Sequence, residues 1–243
     1  MSAGLVDRSG IRVRTEERTR RLVVIWQHPE TRRFIRVGHL DIEPDGQYVF
    51  EYEPEAGDVS GFEGFAAFPD LGHRYRADQL FPFFTNRVLS PRRPEYETYL
   101  DALGIEDDEQ APVELLARSG GTRATDTVHI VPEPRAAADG RHIVLFLASG
   151  TRYLDPDAEH ISRLASGDEL TLRSDSDNPV NADALLLDTS GAEPVGWVPD
   201  YLLGLVRDYE QQGAVRVYVE RANGADTPPH LRLLCRLEAL LDD

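Results

Sequence analysis

Apolar positions recur along this chain in two periods, and each period assigns its own elements. Residues 22–26 (Leu-Val-Val-Ile-Trp) are apolar without a break, and residues 34–40 and 47–52 form two further strand-length runs. Pro44-Asp45-Gly46 stands between these two. It is a turn signal, because Pro presets φ and Gly accepts a positive one. Two or three antiparallel strands are therefore predicted before residue 55, followed by an acidic loop over 53–61. The period then changes. Tyr96, Tyr99, Leu100 and Leu103 fall at i, i+3, i+4 and i+7, which builds one apolar helix face over 95–103. Gly104 stops that helix. Pro112 opens a second short helix through Ala117, ended by Gly120-Gly121, and residues 127–131 read as a strand closed by Pro132.

Residues 132–139 (Pro-Glu-Pro-Arg-Ala-Ala-Ala-Asp) show no buried-face pattern and mark the expected domain boundary. Beyond it, the apolar run 143–147 leads to Gly150. A short helical pattern over 160–165 precedes Gly167-Asp168 and an alternating strand, 170–173. The turn Asp177-Asn178-Pro179, an apolar strand over 184–187 and a strand over 195–199 follow. Leu202, Leu203, Val206 and Tyr209 share one face of a helix over 201–209, closed by Gly213. Val215, Val217 and Val219 alternate with Arg216, Tyr218 and Glu220 in a half-buried strand, and residues 230–237 form the last strand predicted. The fold class expected is α+β, mostly β: an arm over 1–21, a domain over 22–134 and a second over 141–243.

A length of 243 residues permits two such domains, each with its own core. No apolar run approaches the roughly 20 residues that span a membrane, and the first residues lack the apolar centre of a signal peptide. A cytoplasmic protein without a membrane partner is expected. The single cysteine, Cys235, has no partner for an internal disulfide and is expected to be buried and inert. Net charge is −17, and all 26 basic residues are arginine. Such acidity opposes non-specific adhesion to nucleic acid. The distribution is uneven: residues 1–33 hold eight Arg against four acids, a net of about +4. This basic arm either touches phosphate or is a solvated tail.

The order of features in the second half resembles the HIRAN family. A strand leads to Gly150-Thr151-Arg152-Tyr153, and a helical segment to Gly167-Asp168 before a strand. Asn178-Pro179 precedes another strand, and Gly196-Trp197-Val198-Pro199 ends the series. The likeness covers about 100 residues of the 243. It implies a small β-barrel related to the OB-fold, here with two helices, that recognises single-stranded DNA, its 3′ end or damaged DNA.

A second resemblance covers residues 22–134. Phe68-Pro69-Asp70-Leu71, Leu80-Phe81-Pro82-Phe83-Phe84-Thr85-Asn86-Arg87, the 96–103 helix and residues 127–133 look like the N-terminal subdomain of HipA-type toxin kinases. That likeness implies a sheet with helices beside it. A kinase core needs a phosphate-pairing lysine and metal-binding acids. The chain has no lysine, and the HIRAN-like block occupies the rest of it, so no kinase activity carries over.

Through the HIRAN resemblance, the candidate nucleic-acid-binding residues are Arg152, Tyr153, Asn178, Asn181 and Trp197. Arg152 would neutralise phosphate, and the Tyr153 ring would stack on a base. The other reading has Arg152 capping a carbonyl and Tyr153 closing the barrel end. Asn178 is expected to cap its own turn, with a binding role as the second reading. The family prefers an aromatic and then an acid after Asn-Pro, where this chain has Val180 and Asn181. The stacking ring and the carboxylate for a terminal hydroxyl are thus missing there, with Asn181 or Asp183 left as substitutes. Trp197 is expected to bury its ring and bond its N–H inside the barrel, with base stacking as the second reading. Asp200 falls near a position where DNA-binding relatives can carry a basic residue, and an acid there would repel phosphate.

The seven histidines show no paired metal spacing, and one cysteine builds no zinc site. No serine sits in a nucleophile-elbow setting. No catalytic residue, metal or cofactor is assigned. Two functions are expected: a non-enzymatic module for single-stranded DNA or DNA 3′ ends, or an acidic interaction module for a basic protein partner, such as a toxin–antitoxin or defence accessory.

Overall fold

Two antiparallel sheets organise the computed structural model, which describes residues 19–106, 108, 111–121, 127–137 and 139–241. The first sheet contains β1 (Arg20–Gln27), β2 (Phe34–Ile42), β3 (Tyr48–Tyr52), β4 (Tyr75–Ala77) and β5 (Val128–Pro132), in the order β4-β3-β2-β1-β5. Pro132 is tolerated because β5 is an edge strand that pairs with β1. Aromatic rings fill the core. Phe50 on β3 lies 4.2 Å from Phe68, centroid to centroid, and both are buried. The Tyr52 hydroxyl donates to the Phe68 carbonyl and accepts from the Phe65 N–H, both at 2.7 Å, which fixes the loop carrying those rings. Helices α1 (Pro82–Thr85), α2 (Tyr96–Leu103) and α3 (Ala111–Ser119) follow. Gly104 ends α2 in the left-handed conformation, φ 64°, as the stop signal requires.

The second sheet contains β6 (Arg135–Ala136), β7 (Arg141–Leu147), β8 (Glu169–Ser174), β9 (Leu185–Asp188), β10 (Pro194–Trp197), β11 (Gly213–Ala222) and β12 (Leu233–Leu241). Its order is β10-β9-β8-β11-β12-β7-β6. The sheet curls until Ser149, just past β7, bridges Trp197 on β10 through N–H···O bonds of 2.8 and 2.9 Å. A half-barrel results, compatible with an OB-like architecture. Helix α5 (Leu203–Gln212) packs Leu203, Val206 and Tyr209 into its core. Cys235 on β12 is fully buried, and burial pushes its thiol pKa up.

Two local expectations are corrected. The helical pattern over 160–165 produces one 3-10 turn, Ile161–Arg163. The α-helix lies earlier, as α4 (Thr151–Leu154), and carries Arg152 and Tyr153. Within residues 132–139, read as the boundary, the short strand β6 pairs with β7. The last strand begins at Leu233, after a 3-10 turn at Pro229–Leu231.

The sheets pack against each other. Leu100, Leu103 and Leu115 of α2 and α3 form one cluster with Leu231 and Leu234, and Leu145 and Leu147 of β7 cover it. The Asn223 amide donates to the carbonyls of Ala102 (2.9 Å) and Leu231 (2.7 Å), tying α2 to the end of the β11–β12 hairpin. Among the described residues, no helix is long and apolar enough to cross a membrane.

Candidate nucleic-acid interface

Where the two sheets meet, a cavity of about 710 Å³ opens to the surface. It collects residues that are far apart in sequence. Tyr153 comes from α4, Asn178, Val180 and Asn181 from the β8–β9 loop, and Trp197 from the end of β10. The first sheet contributes Gln27, Arg32 and Phe34 from the β1–β2 hairpin and His129 from β5. A second hollow of about 550 Å³ shares Arg32, Phe34, Val180, Asn181 and Asp200 with it and adds Arg33 and Asp183, so the two form one groove.

Helix α4 is short, and its surroundings hold it. The Thr151 hydroxyl donates to the Pro229 carbonyl at 2.5 Å. Buried Asp155, at its end, accepts from the N–H groups of Glu159 (2.8 Å), His160 (3.0 Å) and Ile161 (2.8 Å), which caps the following 3-10 turn. Buried Arg232 donates to four carbonyls, those of Asp155, Pro156, Ala225 and Thr227, and staples this segment to the β11–β12 loop. Tyr153 projects from this frame with 68 % of its surface exposed. The Arg152 guanidinium lies 4.4 Å from its ring centroid and also hydrogen-bonds its hydroxyl. Among the described residues, Arg152 shows these contacts and no bond to a carbonyl. It rides on the tyrosine at the rim.

The floor is set by Trp197. Its indole N–H donates to Asp175 Oδ2 at 2.9 Å, and the same oxygen accepts from Asn178 Nδ2 at 3.0 Å. These bonds, from Asn178 first and Trp197 second, lower the Asp175 pKa. The expected burial of Trp197 inside the barrel is corrected: the ring is half-buried, bonds outward to a loop carboxylate and lines the cavity. Gly150 makes room for it, since a Cβ there would stand 2.4 Å from Trp197 Cε3.

Asn178 caps its own turn, as its residue type predicts. Its Oδ1 accepts from the N–H groups of Val180 (3.0 Å) and Asn181 (3.2 Å). Val180 is thereby held out, 87 % exposed. The Asn181 amide donates to Asp200 Oδ1 at 3.0 Å, and its own oxygen accepts from the Asp183 N–H. A carboxylate thus stands beside the position where the sequence shows an amide, supplied by Asp200. Sequence reasoning missed this pairing because the residues are 19 apart. It also missed Phe34, His129 and Tyr201. His129 stacks on Tyr201 at 5.1 Å and 29°, and Phe34 meets His129 edge-on at 5.2 Å. Burial raises the Tyr201 phenol pKa. Of the basic arm, residues 1–18 lie outside the described residues. Among those described, no group of three or more His, Cys, Asp or Glu is placed to hold a metal ion.

No protein-family model and no curated protein matches this chain. Among solved structures, the crystal structure of the HIRAN domain of human HLTF matches with 16 % identity and a TM-score of 0.31, covering 40 % of this chain and 74 % of that one. A protein from Lactobacillus plantarum matches with 20 % identity and a TM-score of 0.31, covering 41 % of this chain and 99 % of its own. The likeness of residues 22–134 to the HipA-type subdomain has no counterpart in these matches and rests on its sequence motifs.

Proposed function

We propose that this protein is a non-enzymatic module that binds single-stranded nucleic acid, with the 3′ end of single-stranded DNA as its first ligand, in the groove between Tyr153 and Trp197. One observation carries the reading: an exposed tyrosine, a half-buried tryptophan face and turn-fixed amides converge on one open cavity. Aromatic faces give any base a platform, at about 1–3 kcal/mol each. Asp200, oriented by Asn181, is the acceptor for a terminal hydroxyl and repels a terminal phosphate. The resemblance of residues 141–243 to the HIRAN family points the same way.

Fluorescence anisotropy tests this with single-stranded oligonucleotides ending in a 3′-hydroxyl or a 3′-phosphate, at low and moderate salt. The hydroxyl end is expected to bind tighter. Tyr153→Ala, at an exposed position, should raise Kd roughly 5- to 150-fold, the equivalent of one missing stack. Asp200→Asn should narrow the preference for hydroxyl over phosphate. Absence of binding at micromolar protein and low salt would overturn the proposal. The net charge of −17 favours a second reading in that event, an acidic surface for a basic protein partner.

A further inference from the structure

Among the described residues, most arginines are tied to carboxylates. Arg21 pairs with Asp41, Arg36 with Glu53, Arg141 with Glu238, and Arg173 with Asp188. Arg32 and Arg33, in the β1–β2 turn, are exposed and have no ion-pair partner among the described residues, yet both line the groove. Arg152, likewise without a carboxylate partner, stands at its rim beside Tyr153. In a molecule of net charge −17, these cations bring positive charge to a groove that also carries Asp183 and Asp200.

We infer that the β1–β2 turn is the phosphate-binding half of this groove, so that the nucleic-acid site is composite: the second sheet takes the terminal base and hydroxyl, and Arg32 and Arg33 of the first sheet take the adjoining phosphodiesters. This rests on the function proposed above and assigns a role to a region outside the HIRAN-like part.

The turn is built to hold its charges in place. Arg32 adopts a left-handed backbone, φ 58°, a region that non-glycine residues enter only when their surroundings fix them. Its carbonyl accepts from the buried Gln27 side chain at 3.1 Å, and its N–H donates to the His28 carbonyl at 2.9 Å. The His28 N–H donates to the Arg33 carbonyl at 2.9 Å, while its Nδ1 accepts from Glu30 and Thr31. Phe34 continues the turn into the ring series Phe34–His129–Tyr201. Tyr201 follows Asp200 directly, so the cationic turn is registered mechanically against the carboxylate proposed to read the end. A strand whose terminal hydroxyl meets Asp200 must carry its phosphates away from that acid, and Arg32 and Arg33, from the other sheet, line the same hollow.

The experiment compares the full chain with Arg32→Asn/Arg33→Gln, in which asparagine keeps the left-handed turn. Arg92→Asn/Arg93→Gln is the charge-matched control, since those two exposed arginines line neither hollow. Each is titrated with a 3′-hydroxyl single-stranded oligonucleotide across a salt series. The turn variant should bind roughly tenfold more weakly at low salt, and its slope of log K against log salt should flatten by about 0.7 for each phosphate that is no longer neutralised. The control should match the wild type. If the wild type binds and the turn variant keeps the same Kd and slope, or if both double variants weaken alike, the composite site is overturned while the binding function stands. If the wild type does not bind at all, the function itself fails, and the composite site with it.

Discussion

Gly150 and Asp175 are the two residues on which the shape of the groove depends most directly. Gly150 combines a left-handed φ of 68° with a Cβ direction that runs into the Trp197 ring. Gly150→Ala meets both costs, the αL penalty and overpacking, and should lower stability by roughly 2–4 kcal/mol. Urea unfolding measures that loss, and a changed Trp197 emission would accompany it. Asp175 holds the Asn178 amide and the Trp197 N–H on one oxygen, and its folded-state pKa is lowered. The sign follows from that direction. The contribution is complete above the unfolded value of about 3.9 and is lost as pH falls through the depressed folded value. Trp197 emission, recorded in a Trp26→Phe background, should therefore stay constant from neutral pH down to about 4 and step below it. Asp175→Asn should remove that step.

Helix α4 shows how a short element is made rigid by what surrounds it. Four residues cannot sustain a helix in isolation. Here Thr151 is tied to Pro229, Asp155 caps the next turn, and Arg232 closes the assembly from the β11–β12 loop. Arg232→Met keeps the packing stem and removes the guanidinium, and with it the bonds to the Asp155, Pro156, Ala225 and Thr227 carbonyls. A stability loss of about 2–4 kcal/mol is expected, in line with hydrogen bonds to a charged group. Arg232→Lys should recover only part of it, because an ammonium lacks the planar fork. Thermal unfolding of the three proteins orders them. The same loosening should weaken ligand binding through Tyr153.

The two sheets form one unit through the α2–α3–β7–β12 cluster, the Asn223 bonds and the ring series at the groove. Leu103, fully buried between them, is the position that tests this unity. A single cooperative transition is expected. In a Trp26→Phe background, Trp197 fluorescence reports on the second sheet and circular dichroism on both, and their urea midpoints should coincide. Leu103→Ala should shift both midpoints together, at a cost of about 2–5 kcal/mol. Two separated dichroism steps, with fluorescence following one of them, would show that the sheets unfold independently.

The elements legible in the sequence were those whose signal is local and periodic. The unbroken run 22–26 gave β1, the i, i+3, i+4, i+7 series gave α2, and the alternation around Val217 gave β11. Asn178 capping its own turn was equally local, because the partner atoms lie within three residues. Helix α4 was hidden because four residues display no period, and the pattern over 160–165 misled because an Asp155 cap, not helix propensity, organises that turn. Tertiary structure alone decided which side chains share the groove. Trp197 turns outward because Asp175, 22 residues away, accepts its N–H. The Asp200 carboxylate is brought beside Asn181 from 19 residues away. Arg32 and Arg33, which the sequence placed in a basic arm, reach the groove through a hairpin of the other sheet. Periodicity along the chain records which face of an element is buried. It carries no information on which distant element will supply the partner, because that is fixed by packing between sheets.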